Sequence, residues 1–275
     1  MRLLCAGGQP TADLVRDSYD RLAGGYDEAW TDHMRDLSMA MLDRLAVPRG
    51  ARCLDLTCGT GFLTGQLAAR AGTRALGVDA SAGMLAVAAA RDGGRCDFRQ
   101  ADVLAFLNAC PPARFDVVTC AWGLGYSRPA RVLAGVARVL APGGRMGVID
   151  NSLFSLAGVL GCALRAFAER PEALAHAMNV RFLPGSVALS TLMRWHGLGV
   201  SAAWDGARTY RVSDGPAAVA RLQATGAAAG FEFAATAADR DAVFARFAEI
   251  LQARCAAPGG IPITHRYLAA VGVKR

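Results

Sequence analysis

Over residues 11–45 apolar positions recur at helical spacing, with a break at Gly24-Gly25 and an outer face rich in Asp and Arg. From Ala51 the period changes. Short apolar runs (ARCLDL, ALGVDA, CDFRQAD, FDVVTCA and GRMGVID) read as strands, and FLTGQLAARA, AGMLAVAAARD, VLAFLNA and PARVLAGVARVLAP read as the helices between them. Such alternation predicts right-handed crossovers and a parallel sheet covered on both faces. Sheets of this kind bind ligands outside the carboxyl ends of their strands. That directs attention to residues 55–61, Asp79, Asp102, residues 120–126 and Asp150-Asn151.

After Asn151 the alternation stops. The pattern predicts helices over 153–170, 171–178 and 186–196 and a strand at RTYRVS, with Phe182, Trp195, Trp204 and Tyr210 giving this stretch the material of a cap. The sheet pattern then resumes with a helix closing on Gly230, a strand at FEFAATA, a helix at RDAVFARFAEILQARC and a last strand at ITHRYLAAVGVK. The fold expected is α/β: a doubly wound, mainly parallel, seven-stranded Rossmann-like sheet with an inserted helical cap. Its expected divisions are an N-terminal helical lid (1–50), a binding core (51–150), a cap and substrate region (151–214) and a C-terminal completion of the sheet (215–275).

Composition narrows the function classes. At 275 residues, 53% hydrophobic and 19% charged, the chain is that of a globular protein with a substantial core. Its longest apolar stretch, LFSLAGVLGCAL, falls short of the roughly 18 residues that span a bilayer. No membrane partner is expected. The opening MRLLCAGGQPTADLV is interrupted by Gly-Gly-Gln-Pro before it resembles a signal-peptide core, so a cytoplasmic location is expected. Eight cysteines lie scattered without C-x-x-C or His spacing suited to zinc, and read as reduced, apolar side chains. The formal charge of +7 comes from arginines spread along the chain, with Lys274 the sole lysine. Phosphate-backbone binding needs a concentrated positive footprint, so no nucleic-acid partner is expected.

The chemistry concentrates in LDLTCGTGFLTG, residues 54–65. A phosphate loop would need a lysine that is absent, and the dinucleotide fingerprint would need a glycine where Thr64 stands. Asp55, at the strand end, also opposes a pyrophosphate. A cationic ligand without phosphates would meet that carboxylate favourably, and S-adenosylmethionine, with its sulfonium and ammonium, is one. Asp79, at the end of the second strand, can accept from both hydroxyls of a ribose, and Asp102, after the third, from an adenine amino group.

These segments together resemble the class I S-adenosylmethionine-dependent methyltransferases, most nearly the small-molecule enzymes of the ubiquinone/menaquinone type. YDRLAGGYDEAW is similar to the family's lead-in, LDLTCGTG to its glycine motif, GVDASAGML to its ribose-binding strand and turn, and QADV to its adenine-contact turn. FDVVTCAWGL and VLAPGGRMGVID resemble its fourth and fifth strand motifs. The resemblance implies that Gly59 and Gly61 let the backbone approach the cofactor, that Asp79 holds the ribose, and that Met84 packs on the adenine. It further implies that Asp102 and Val103 read the adenine edge, that Cys120 lies beside the methionine part next to Asp55 and Thr57, and that Tyr19 and Tyr26 close over it.

The chain departs from the family where many relatives carry W-x-x-H-H, for it reads WGLGYS. Tyr126 is therefore a candidate catalytic group facing the acceptor, and Asn151, ending the fifth strand, a second. No metal is expected, because Ala121-Trp122 supplies no acidic ligand to join Asp150-Asn151. His176, His196 and His265 have no carboxylate partner assignable from sequence. Thr57 replaces a glycine common in relatives, which leaves two uses of the cofactor open. One is methyl transfer to a small, specialised-metabolite acceptor by a monomer or homodimer. The other is attack at a non-methyl carbon, by aminocarboxypropyl transfer or by cyclisation to azetidine-2-carboxylate with release of methylthioadenosine. A cofactor-binding regulatory protein without turnover is a third reading.

Overall fold

The N-terminal helical segment divides where its glycines fall. Helix α1 (Thr11–Leu22) gives way to a 3₁₀ turn (Ala23–Gly25) and a π-helical turn (Asp27–Thr31), after which α2 spans Asp32–Leu45. The alternating region follows as β1 (Cys53–Leu56), α3 (Phe62–Ala71), β2 (Ala75–Asp79), α4 (Ala82–Asp92), β3 (Cys96–Gln100), α5 (Val103–Ala109), β4 (Phe115–Ala121), α6 (Pro129–Val139) and β5 (Leu140–Asn151). Then come α7 (Ala157–Glu169), α8 (Ser186–Trp195), β6 (Leu198–Val212), α9 (Gly215–Ala224), α10 (Arg240–Cys255) and β7 (Ile261–Lys274). This computed structural model describes residues 11–226 and 233–275.

The strands form one sheet in the order β3-β2-β1-β4-β5-β7-β6. Strands β1 to β5 pair in parallel, while β7 runs antiparallel to both β5 and β6. The doubly wound, seven-stranded architecture is thus the one the pattern predicts. Helix starts follow local chemistry: the Ser81 hydroxyl accepts from the Met84 amide, Asp102 and Asp214 accept likewise from Ala105 and Ala217, and Pro129 opens α6.

Alternation along the strands sends side chains to two cores. Leu54, Leu56, Val118 and Val148 pack with α5, α6 and α8, while Cys53, Val117 and Ile149 pack with α2 and α3. A third core gathers α7, α9 and α10 around Ile261 and Ile263 of β7. Each fully buried aliphatic side chain contributes roughly 1.5–3 kcal/mol, and the central strands supply many of them. Among the described residues no helix is long and apolar enough to cross a membrane.

The second half departs from its pattern. The strand expected at RTYRVS is the end of a longer one: residues 198–212, which the sequence reading gives to the cap, form one strand that pairs with β7 over its length and edges the core sheet. Of the expected strand FEFAATA, Phe231 and Glu232 lie outside the described residues, as does the helix end at Gly230. Ala235 makes a single bridge, to Leu174, in place of a ladder. The segment 171–178 contains only a 3₁₀ turn at Pro171–Ala173.

His265 on β7 is 1% exposed, and neither ring nitrogen has a partner among the described residues. Its ring stacks on Tyr210 at 5.7 Å and meets Trp30 edge-on at 5.0 Å. Burial, helped by His33 and Arg221, lowers its pKa to about 4. The unfolded chain would take up that proton near 6.5, so the stability due to a neutral His265 is complete above that pH and is lost as pH falls toward 4. The loss amounts to about 3 kcal/mol at most. Asp55 and Asp150, whose buried carboxyls are raised, act with the opposite sign. We expect His265→Phe to raise the denaturant midpoint more at pH 5 than at pH 8. An equal change at both would contradict this reading.

Candidate functional site

The carboxyl ends of β1 to β4 open into a cavity of about 510 Å³, closed from above by α1, the turns before α2 and an extended strap of the cap. At the end of β1, Asp55 lies 1% exposed, accepting from the Thr64 hydroxyl at 2.8 Å and the Thr119 hydroxyl at 2.6 Å. Burial outweighs those two bonds and raises its pKa to about 6. At the end of β2, Asp79 accepts from the amides of Gly59 and Ser81, both at 2.9 Å, and burial again raises its pKa. Asp102, after β3, caps α5 through one oxygen and lines the cavity with Val103 and Met84.

The two loop glycines have different work. Gly59 lines the cavity at φ +53° with open space where a Cβ would stand, so ligand can reach its backbone. Gly61 does not line the cavity. A Cβ there would lie 2.9 Å from Ala88 and 3.0 Å from Phe98, so this glycine serves the packing of α3 on the sheet, not the approach of a ligand. Thr57 lines the cavity at φ +55°, a left-handed conformation unusual for a β-branched residue. Its hydroxyl donates to the carbonyls of Leu56 at 2.5 Å and Ala121 at 3.3 Å. Cys120 is buried behind Thr57, 3.6 Å from that hydroxyl, outside the cavity wall. Burial holds its thiol protonated.

Three tyrosines meet over the cavity. Tyr19 contacts Tyr26 edge-on at 5.7 Å and Tyr126 at 6.1 Å. Desolvation raises all three, Tyr126 to about 12, so each is a neutral phenol at physiological pH. Tyr126 can thus orient a ligand by hydrogen bonding but is not a ready base. Asn151 is not brought to the cavity. Its amide oxygen accepts from Ser155 at 3.0 Å, and the neighbouring Asp150, 2% exposed, holds the amides of Gly125 at 2.7 Å and Asn151 at 2.8 Å. Asp150, its pKa raised to about 7 by burial, fixes the loop after β4. Among the described residues no three His, Cys, Asp or Glu side chains converge as a metal site, and no histidine lines this cavity.

Sequence reasoning passed over the residues that hold the lid. Asp20, beside Tyr19, accepts from the Ser81 hydroxyl at 2.6 Å and the Gly83 amide at 2.9 Å. Asp27, beside Tyr26, accepts from Thr60 at 2.5 Å and pairs with Arg91 at 2.5 Å. The repeated Tyr-Asp was the available signal: each tyrosine faces the cavity, and each aspartate ties the lid to a strand-end loop. Trp30 and Trp122 form a further wall, their rings edge-on at 5.5 Å. The strap, residues 174–183, is tied by the Asn179 amide to Thr11 at 3.1 Å and by the Arg181 amide to Gly125 at 2.7 Å.

Known proteins resemble the chain in sequence and fold. A family model described as a methyltransferase domain matches residues 53–144. The 2-phytyl-1,4-naphtoquinone methyltransferase of Thermosynechococcus vestitus is 36% identical over 138 residues, 48% of this chain and 57% of that protein. The chain thus spans little more than half of this relative's length. The demethylmenaquinone methyltransferase of Beutenbergia cavernae is 31% identical over 219 residues, which is 69% of this chain and 88% of that one. Among solved structures, the cyclase SpnF superposes with a TM-score of 0.57 at 22% identity, over 95% of this chain and 93% of its own, a likeness of fold.

A Cβ at Gly125 would lie 2.1 Å from Phe182 of the strap, whose ring sits on Tyr126 at 5.4 Å. Gly125→Ala should therefore cost about 1–3 kcal/mol by overpacking. Combined with Phe182→Ala, which removes the obstructing ring, the loss should be smaller than the sum of the two single losses. Additive denaturation energies would show that the strap does not seat there.

Proposed function

Because the chain belongs to the class I S-adenosylmethionine-dependent methyltransferases, with S-adenosylmethionine as its cofactor, we propose that it transfers the cofactor's methyl group to a small-molecule acceptor. The observation that carries this reading is the presence of Asp55, Asp79 and Asp102 at three successive strand ends of one cavity. This donor set fits the cofactor. Asp55 offers negative charge to a cationic amino-acid tail, Asp79 offers oxygens to two ribose hydroxyls, and Asp102, Val103 and Met84 offer an edge and an apolar face to adenine. The bare backbone at Gly59 leaves room for close approach. When bound, S-adenosylmethionine supplies an activated methyl carbon for direct displacement.

The residues of the chain then have alignment and desolvation as their task. Tyr19, Tyr26, Trp30 and Trp122 exclude water, and the neutral Tyr126 phenol orients the acceptor. With no histidine on the cavity wall, an acceptor nucleophilic without an enzyme base suits the site best. We further infer a cytoplasmic, biosynthetic role in specialised metabolism for a monomer or homodimer. The free thiols of the described cysteines support the cytoplasmic setting.

Incubation with S-adenosylmethionine and a panel of small nucleophiles should yield S-adenosylhomocysteine. Methylthioadenosine formed without any acceptor would overturn the reading. Asp79→Ala should weaken S-adenosylhomocysteine about 10- to 100-fold in calorimetry, the scale of lost charge-assisted hydrogen bonds. Asp55, with a pKa of about 6 in the free protein, should lose its proton when a cation binds beside it. Binding of S-adenosylmethionine should therefore release protons near pH 6 and none at pH 8. Calorimetry in buffers of different ionisation heat measures this, and proton uptake at pH 6 would contradict the assignment of Asp55.

A further inference from the structure

The cavity is electrically divided. Its acids, Asp55, Asp79 and Asp102, all stand at strand ends, whereas its basic groups, Arg16, Arg128 and Arg181, come from α1, the start of α6 and the strap. Arg16 is neutralised locally by Asp13 at 2.9 Å and Asp17 at 2.8 Å. Arg128 and Arg181 are not. Among the described residues neither guanidinium has a carboxylate partner or a hydrogen bond, although arginines such as Arg52, with Asp116 at 2.8 Å, and Arg246, with Glu169 at 2.6 Å, are paired.

Both stand on fixed backbone close to Tyr126. Arg128 follows Tyr126 by two residues and caps α6, its carbonyl accepting from Val132 at 3.0 Å. The Arg181 amide donates to Gly125 at 2.7 Å, and the next residue, Phe182, packs on Tyr126. Two solvent-exposed arginines without an internal carboxylate therefore line the same cavity as Tyr126, on backbone that adjoins it. A cationic cofactor gains nothing from them through its sulfonium or ammonium. Guanidinium forks match the paired oxygens of carboxylates and phosphates.

We propose that Arg128 and Arg181 form an oxyanion subsite, and that the acceptor is an anion whose carboxylate or phosphate they hold while a planar, apolar portion lies against Tyr126. The assignment of this ligand as the acceptor rests on the methyl-transfer reading. The same charge would draw the acceptor toward the mouth, an attraction that weakens with salt.

The test uses one ring with three charges: benzamide, benzoate and phenyl phosphate, titrated calorimetrically into the full chain saturated with S-adenosylhomocysteine. Benzoate or phenyl phosphate should bind about tenfold or more tighter than benzamide, and whichever is the tighter identifies the carboxylate or phosphate source. The double variant R128A/R181A should erase that difference while binding S-adenosylhomocysteine as the wild type does. High salt should weaken only the anions. Equal binding of benzamide, no binding of either anion to the loaded protein, or an unaltered preference in the double variant would overturn the proposal. Loss of S-adenosylhomocysteine affinity in that variant would also overturn it, assigning the arginines to the cofactor's carboxylate. Failure of the wild type to bind S-adenosylhomocysteine would instead remove the methyl-transfer reading, and the acceptor assignment with it.

Discussion

The reversal of strand order at β1 is the constraint from which the site follows. β1 pairs in parallel with β2 on one side and β4 on the other. Right-handed crossovers then send α3 and α4 to one face of the sheet and α5 and α6 to the other. The connections leaving β1 and β4 must part, and the crevice between them cannot be filled by either. Asp55 stands in that crevice. A carboxyl so buried would be costly alone, and the hydroxyls of Thr64 on α3 and Thr119 on β4 offset part of the cost from both flanks.

The lid depends on the same crevice. The loops that leave β1 and β2 present Thr60 and Ser81, the first turn of α4 presents Gly83, and Asp27 and Asp20 of the N-terminal segment bind these groups. Gly83 has no side chain because a Cβ there would lie 2.8 Å from the Asp20 carbonyl. Close backbone contact and two carboxylates thus bring Tyr19 and Tyr26 over the cavity. On the opposite side Asp150 fixes the Gly125 amide, and Gly125 in turn receives the strap through its carbonyl and its missing side chain. Carboxylates therefore seat each cover of the cavity: the lid's own Asp20 and Asp27 on one side, and the strand-end Asp150 on the other.

The central sheet was legible in the sequence because β1 to β5 are apolar runs separated by helices of regular period, and the strand-end acids follow those runs directly. β6 was not. Its sequence, LGVSAAWDGARTYRV, mixes small and polar residues, since an edge strand half open to solvent need not be apolar throughout. FEFAATA carries better strand propensity, but of its described residues only Ala235 makes a bridge, and the edge of the sheet is taken by β6. Asn151 illustrates another limit: its strand-end position was readable, but its engagement with Ser155 depends on how the chain turns after β5. The lid aspartates act through contacts between segments far apart in sequence, which no local period encodes.

Thr57 shows how a departure from a motif is absorbed by its surroundings. A β-branched residue at φ +55° is strained, and a glycine would relieve that strain at no steric cost. The chain offsets it by taking the glycine elsewhere: a Cβ at Gly123, in the facing loop after β4, would lie 2.5 Å from the Thr57 side chain. The threonine side chain fills what Gly123 leaves open and clips the end of β1 to the Ala121 carbonyl at the end of β4. Trp122, between them, is itself held at φ +59°, with its indole donating to Ser38 at 2.9 Å. Strain at these two strand ends is thus tied to the aromatic wall. Thr57 acts on the shape of the cavity, through the two strand ends that it joins.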